Sequence, residues 1–505
     1  MKRLFIVFLL PLLAGCMAGP NYRKPDLPTA KNWVEATDKT PVEGKAAPSA
    51  GPWWTVLGDE TLNALEQRAL VGNLDVRMAL ARIKEARAGQ IGAVANLLPN
   101  SSGQLSHVYT QPNSGYGYKP QTQTQENLSI SWEIDLLGGN RRELEARIAE
   151  REAALLNRDS ALLIMSVELA RTYVQLRDAV GQITVLQANI DSEKEIVRLT
   201  TLRAQYGLGS DLEVAQAGRQ LASTEAGLPP LFAARAKARY QLELLLGELP
   251  GTVKELDQIA TGVSVPEAKV VLAAPGDLLV RRPDVAIAER RLAAAVARQG
   301  VTRAEWLPRI SLSALLGNIF TFPPNSVYPV GETWMLGAQA TQTLLDFGRI
   351  ASEIRVSDAR ADQALINLKQ CSLTAFAEVE TALAAYGNSG KRLSALTETE
   401  AKAQKAFDLS RQLYLDGLGQ FLDVLDAQRE LLAAQQTRQA AEASVVGSII
   451  DLESAMGGAT FAEKPEPDLK KDPPLMMLSV PQKIDPSLSN EPAGEGAAAR
   501  SVNQK

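Results

Sequence analysis

The sequence predicts a mainly α-helical protein that also carries strands of a transmembrane β-barrel and is built as two tandem structural repeats. Three observations lead there: an internal duplication, two long proline-free helical stretches, and short segments of strict apolar and polar alternation. Residues 75–99 lie over 284–308 without a gap, pairing Asp75 with Asp284, Arg82 with Arg291, Gln90 with Gln299 and Leu98-Pro99 with Leu307-Pro308 at an offset of 209. Farther on, Leu208-Gly209-x-x-Leu212-x-Val214 returns as Leu418-Gly419-x-x-Leu422-x-Val424 at an offset of 210. Solenoid units repeat every 20–50 residues or so. A period this long is a whole duplicated module, with its two halves side by side about a pseudo-twofold.

The elements follow in order. Lys2-Arg3 precedes an apolar run from Leu4 to Leu13, too short to span a bilayer and suited to the core of a signal peptide over 1–15. Residues 16–58, rich in Gly, Pro and Trp, read as an extended tether. Asp59-Glu60-Thr61 gives a helix an acidic first turn; it should run to about Asn96, where Leu98-Pro99 stops it. In Leu128-Ser129-Ile130-Ser131-Trp132-Glu133-Ile134 every second residue is apolar, the mark of a strand with one apolar and one polar face. Strands are expected over about 103–111 and 125–135, and again over 309–317 and 332–345, one hairpin per half.

Asp135-Leu136-Leu137-Gly138 and Asp346-Phe347-Gly348 then switch the chain to helices over 142–206 and 350–414, each roughly 95 Å long at 1.5 Å per residue. In the first, Ile148, Leu155, Leu162, Leu169, Leu176, Ile183, Ile190 and Val197 recur every seven residues, a coiled-coil seam. In the second, the seam of Ala359, Ile366 and Leu373 slips by one residue to Val379, Tyr386 and Leu393, with Gly387 and Gly390 in the break expected to weaken the helix locally. Gly turns at 207–209 and 417–419 start return helices; Pro229-Pro230 splits the first, and the second runs to about Met456. The repeats thus span 59–275 and 276–460, and the polar, proline-rich tail over 461–505 should be disordered.

Composition narrows the function. A net charge of −5 without a basic cluster argues against nucleic acid. One histidine, His107, and two distant cysteines, Cys16 and Cys371, offer no metal site, cofactor or thiol nucleophile, and no convergent acid/base set points to an enzyme. Eight scattered Met residues form no ladder for soft metals. Four amphipathic strands are too few for a barrel, since about eight are needed. Only a closed barrel satisfies strand hydrogen bonds in lipid, so several copies should each donate four strands. Asn127, Ser129, Ser131 and Glu133 would then face a watery lumen, with Leu128, Ile130 and Trp132 against lipid.

These residues resemble the TolC-like outer membrane efflux factors, in the lipoprotein branch similar to OprM. The likeness covers roughly 16–460 and rests on Leu13-Ala14-Gly15-Cys16, Gly19-Pro20-Asn21-Tyr22, Trp53-Trp54-x-x-Leu57-x-Asp59, Leu279-x-Arg281-Arg282-Pro283-Asp284-Val285, the paired Leu-Pro motifs, and Leu422-Asp423-Val424-Leu425-Asp426-Ala427-Gln428-Arg429. The resemblance implies lipidation at Cys16 and a homotrimer in the cell outer membrane: a twelve-stranded barrel on a periplasmic helical tunnel. It also implies a periplasmic adaptor and an inner-membrane efflux pump as partners, which choose the exported cargo. By the same likeness, Leu422 and Asp426, with Arg429 beside them, form the channel gate. A leucine ring excludes water, and three Asp carboxylates repel one another unless compensated. Their first-repeat counterparts are Leu212 and Gln216. Gly207, Leu208, Gly209, Ser210, Gly417, Leu418 and Gly419 resemble the adaptor-docking tips. The alternative is a structural coiled-coil envelope lipoprotein without transport activity, which would need no amphipathic strands.

Overall fold

The computed structural model describes residues 17–36, 52–111, 120–266, 272, 274–322 and 328–458. The expected signal peptide, Cys16, most of both hairpin loops and the tail over 461–505 lie outside the described residues.

After a 3-10 turn at Trp53–Leu57, α1 (Glu60–Gly72) and α2 (Leu74–Ala95) replace the single helix expected from Asp59 to Asn96. Asp59 caps α1 by accepting from the Leu62 N–H at 3.0 Å. The break is at Asn73. Its backbone is extended, its side-chain oxygen accepts from the Asp75 and Val76 N–H groups at 2.9 and 3.1 Å, and its amide donates to the Leu245 carbonyl at 2.7 Å. A residue that caps well offers the backbone an alternative to helix, and here tertiary contact selects it.

Strands β1 (Asn100–Thr110), β2 (Gln121–Ile134), β3 (Arg309–Phe322) and β4 (Tyr328–Thr341) form one antiparallel sheet in that order. The two hairpins are therefore joined through β2 and β3. The register places Leu128 opposite Leu316 and Leu316 opposite Trp334, with Trp132 opposite Leu312, so one face carries a continuous apolar row. The other face pairs Ser102 with Ser129, their hydroxyls 2.8 Å apart, and Ser131 with Ser313. Alternation fixed the faces but not the strand ends: β1 starts directly after Pro99, and β4 ends before Leu344-Leu345. Among the described residues β1 and β4 are the edges of the sheet, each paired on one side only.

Each repeat continues into a helix of 67 residues, α3 (Gly139–Gln205) and α8 (Arg349–Leu415), about 100 Å long. Their starts share one device. Asp135 accepts from the Asn140 and Arg141 N–H groups at 3.1 and 2.9 Å, and Asp346 from Gly348 and Ile350 at 3.0 and 2.9 Å, while Gly138 and Gly348 take positive φ. A carboxylate at the positive end of a helix dipole is favourable, and the N–H groups of Ile350 and Gly348 hold the Asp346 carboxyl below its ordinary range. The return segment of the first repeat is α4 (Asp211–Glu225) and α5 (Leu228–Leu245), with prolines in the first turn of α5. After α6 (Pro275–Arg281) and α7 (Pro283–Ala304), the second repeat returns through α9 (Phe421–Ala455).

The middle of the α3 seam, from Leu162 to Ile190, is buried. Near the sheet, packing switches to small residues: Ala146 and Ala149 meet Ala293, Ala294 and Ala297 of α7. In α8 the seam expected at Ala359, Ile366 and Leu373 is not buried; the protomer instead buries Ala361, Leu368, Ala375 and Val379. The heptad is present, but none of the described residues covers it. The helix passes unbroken through Gly387 and Gly390.

Candidate channel gate and docking tip

At the end remote from the sheet, the two helical hairpins meet around a shared core of Ile196, Ala217, Phe407, Tyr414, Phe421, Val424 and Leu425. Tyr414 and Phe421 stack at 5.3 Å between ring centroids. The Tyr414 hydroxyl donates to Glu213 Oε2 of the first repeat at 2.8 Å, and the Arg203 guanidinium lies 4.7 Å from the Tyr414 ring centroid. Burial and the Glu213 carboxylate push the Tyr414 phenol up to about 12, so it stays a donor at neutral pH.

Helix α9 begins with a capping box between Gln420 and Asp423. Period 3.6 then sorts its first turns: Val424, Leu425 and Gln428 turn inward, and Leu422 and Asp426 stay exposed on the opposite side. Arg429 borders both faces. Its Nη1 reaches Asp426 Oδ1 at 3.5 Å, and its Nε donates to Gln220 Oε1 at 2.8 Å. The structure thus brings Asp426 and Arg429 together, with Leu422 one turn away on the same face.

Both tips are Schellman turns. The Leu208 N–H bonds the Arg203 carbonyl and the Leu418 N–H the Leu413 carbonyl, each at 2.8 Å, with Gly207 at φ 71° and Gly417 at φ 73°. A Cβ on Gly419 would lie 3.1 Å from Leu413 Cβ, and one on Gly209 3.0 Å from Glu213 Oε2. Positive φ therefore demands Gly207 and Gly417, a side chain at Gly209 or Gly419 would crowd its neighbour, and Ser210 serves as the N-cap of α4. The side chains presented outward are Leu208 and Leu418, 68% and 78% exposed.

The family model described as outer membrane efflux protein matches residues 65–248 and again 274–458. The chain belongs to the outer membrane efflux protein family. Among curated relatives, Nodulation protein T of Rhizobium leguminosarum bv. trifolii is 31% identical over 433 residues, covering 85% of this chain and 91% of its own. The pyoverdine export outer membrane protein OpmQ of Pseudomonas aeruginosa is 29% identical, covering 92% and 98%. The solved outer-membrane channel OprN superposes with a TM-score of 0.80 at 32% identity, covering 88% of this chain and 99% of that one.

Leu422, Asp426 and Arg429, the residues expected at a gate, lie together at the start of α9; sequence reasoning missed Gln220, Glu193, Tyr414 and Glu213, whose hydrogen bonds link the two repeats at this tip. None of the four stood out in the repeat: at the offset of 210 Tyr414 matches Ala204 and Tyr206 matches Asp416, and Tyr414 is buried where Tyr206 is exposed. Among the described residues, no three His, Cys, Asp or Glu side chains converge to hold a metal ion.

Proposed function

We propose that this protein is the outer-membrane component of a tripartite efflux system, a passive homotrimeric conduit that takes small molecules from an inner-membrane pump through a periplasmic adaptor. The observation that carries this reading is the open four-stranded sheet, in which the outer edges of β1 and β4 have no partner strand among the described residues. Unpaired edges are untenable in lipid. Three such sheets joined β4 to β1 close a cylinder of twelve strands, a size within the bacterial range. The uncovered α8 seam supports the same assembly. A purely structural coiled-coil lipoprotein has no use for the sheet, and channel transport needs no catalytic residue.

In this reading Leu422, Asp426 and Arg429 form the resting constriction, where apolar closure is set against carboxylate repulsion so that adaptor contact can open it. Leu208 and Leu418 offer the docking surface, and Gly207, Gly209, Ser210, Gly417 and Gly419 shape it. In planar bilayers, trimers carrying Leu422→Ala with Asp426→Ala should conduct severalfold better than wild type; an unchanged conductance removes the gate from this site. Leu208→Asp with Leu418→Asp should abolish adaptor capture by intact trimers, and retained capture would move docking elsewhere.

A further inference from the structure

The gate cation is held from behind by a buried polar chain that no packing requirement explains. Arg429 Nε donates to Gln220 Oε1 at 2.8 Å. The same carboxamide donates through Nε2 to Glu193 Oε1 at 3.3 Å, and that oxygen also accepts from Thr224 Oγ1 at 3.0 Å. Glu193, Gln220 and Thr224 are 1%, 9% and 5% exposed, and Glu193 Oε2 is buried without a partner. Burying a carboxyl group incompletely satisfied is costly.

The second repeat shows that the hairpin does not need these groups. At the same offset of 210, Glu193 corresponds to Ala403, Thr224 to Ala434 and Gln220 to the exposed Glu430. The same helical positions pack with alanine there, so the polar set is an addition confined to the repeat that faces Arg429.

Its chemistry has one polarity. Arginine only donates, and Glu193 Oε1 accepts. A carboxamide between them is held with its NH2 toward Glu193 and its oxygen toward Arg429. We propose that Glu193 and Gln220 form a positioning relay that fixes the Arg429 guanidinium beside Asp426 and thereby sets how far the carboxylates at the constriction are compensated. The relay rests on the gate reading given above. It makes the first repeat, whose own gate positions are Leu212 and Gln216, a working part of the closure. With the relay broken, Arg429 swings free, repulsion among the Asp426 carboxylates rises, and the resting channel leaks.

The test uses purified full-length trimers in planar bilayers. Gln220→Leu removes the carboxamide's hydrogen bonds to Arg429, Glu193 and Thr224 at similar volume, and Glu193→Gln keeps the shape but frees the carboxamide to flip. Each should raise resting conductance at least about twofold, the lower bound for coupling between contacting residues. Gln220→Leu added to Arg429→Leu should give no further increase, because both act through one group, and the thermal dissociation temperature of the trimer should not move. Additive conductances, or a lowered dissociation temperature accounting for the leak, would reduce the relay to packing and overturn it. If Leu422→Ala with Asp426→Ala raises conductance while both relay variants match wild type, the relay fails and the gate stands. If that gate pair also leaves conductance unchanged, the gate reading itself falls and the relay with it.

Discussion

Glu453 is one partly buried side chain through which the stability of the fold responds to pH. It sits on α9 away from the tip, and burial pushes its carboxyl from 4.5 up to about 7. The folded value exceeds the unfolded one, so the neutral carboxyl's contribution is complete below about pH 4.5 and is lost as pH rises through about 7. Above that range the charged form costs on the order of 3 kcal/mol. Glu453→Gln should therefore raise the unfolding temperature near pH 8 and leave it unchanged near pH 5; equal gains at both would mean the carboxyl is solvated. At this scale the candidate site was only half legible. The family resemblance pointed to Leu422 and Asp426, and helical period puts them on one exposed face, but Arg429 reaches Gln220 across 209 residues of sequence, and no local pattern records that contact.

The long helices separate two kinds of seam. In α3 the heptad from Leu162 to Ile190 is covered by neighbours in the same chain. In α8 the equally apolar Ile366 and Leu373 are 62% and 60% exposed. A second copy of the chain covers this face in the trimeric reading. Ile366→Ala with Leu373→Ala should then cost roughly 1.5 to 3 kcal/mol per buried side chain, read as a lower trimer dissociation temperature without loss of monomer helix content. An unchanged dissociation temperature would leave this stripe facing water. The break at Asn73 teaches a related point: the segment has helical composition on both sides, and only the Leu245 carbonyl waiting across the interface makes a cap preferable to a continuous helix.

Across the whole molecule, the N-terminal tether is pinned to the turn where the sheet passes into the helices. Ala18 N–H bonds the Leu137 carbonyl at 2.9 Å, and Arg142 Nε and Nη2 donate to the Ala18 carbonyl and the Asn21 side chain at 3.0 and 2.7 Å. Met17 is thus held at the turn between β2 and α3, the level at which a barrel meets the periplasm. A lipid on the preceding Cys16 would enter the adjacent leaflet there. Intact mass measurement should find the mature chain starting at Cys16 with an added acyl mass; a free thiol would remove the lipid anchor and leave the barrel as the sole membrane attachment.

The sequence by itself determined the two faces of the sheet, the long helices and the Gly turns, because alternation, heptads and capping are relations among residues two to seven positions apart, and the duplication, because a repeat is a match of residues that needs no fold to be read. The tertiary structure decided which seams are satisfied within one chain, that β2 pairs with β3 to join the halves, that the tip glycines serve the turn, and that Glu193 and Gln220 stand behind Arg429. Those are contacts between distant segments, and a chain encodes them only through the geometry it reaches on folding.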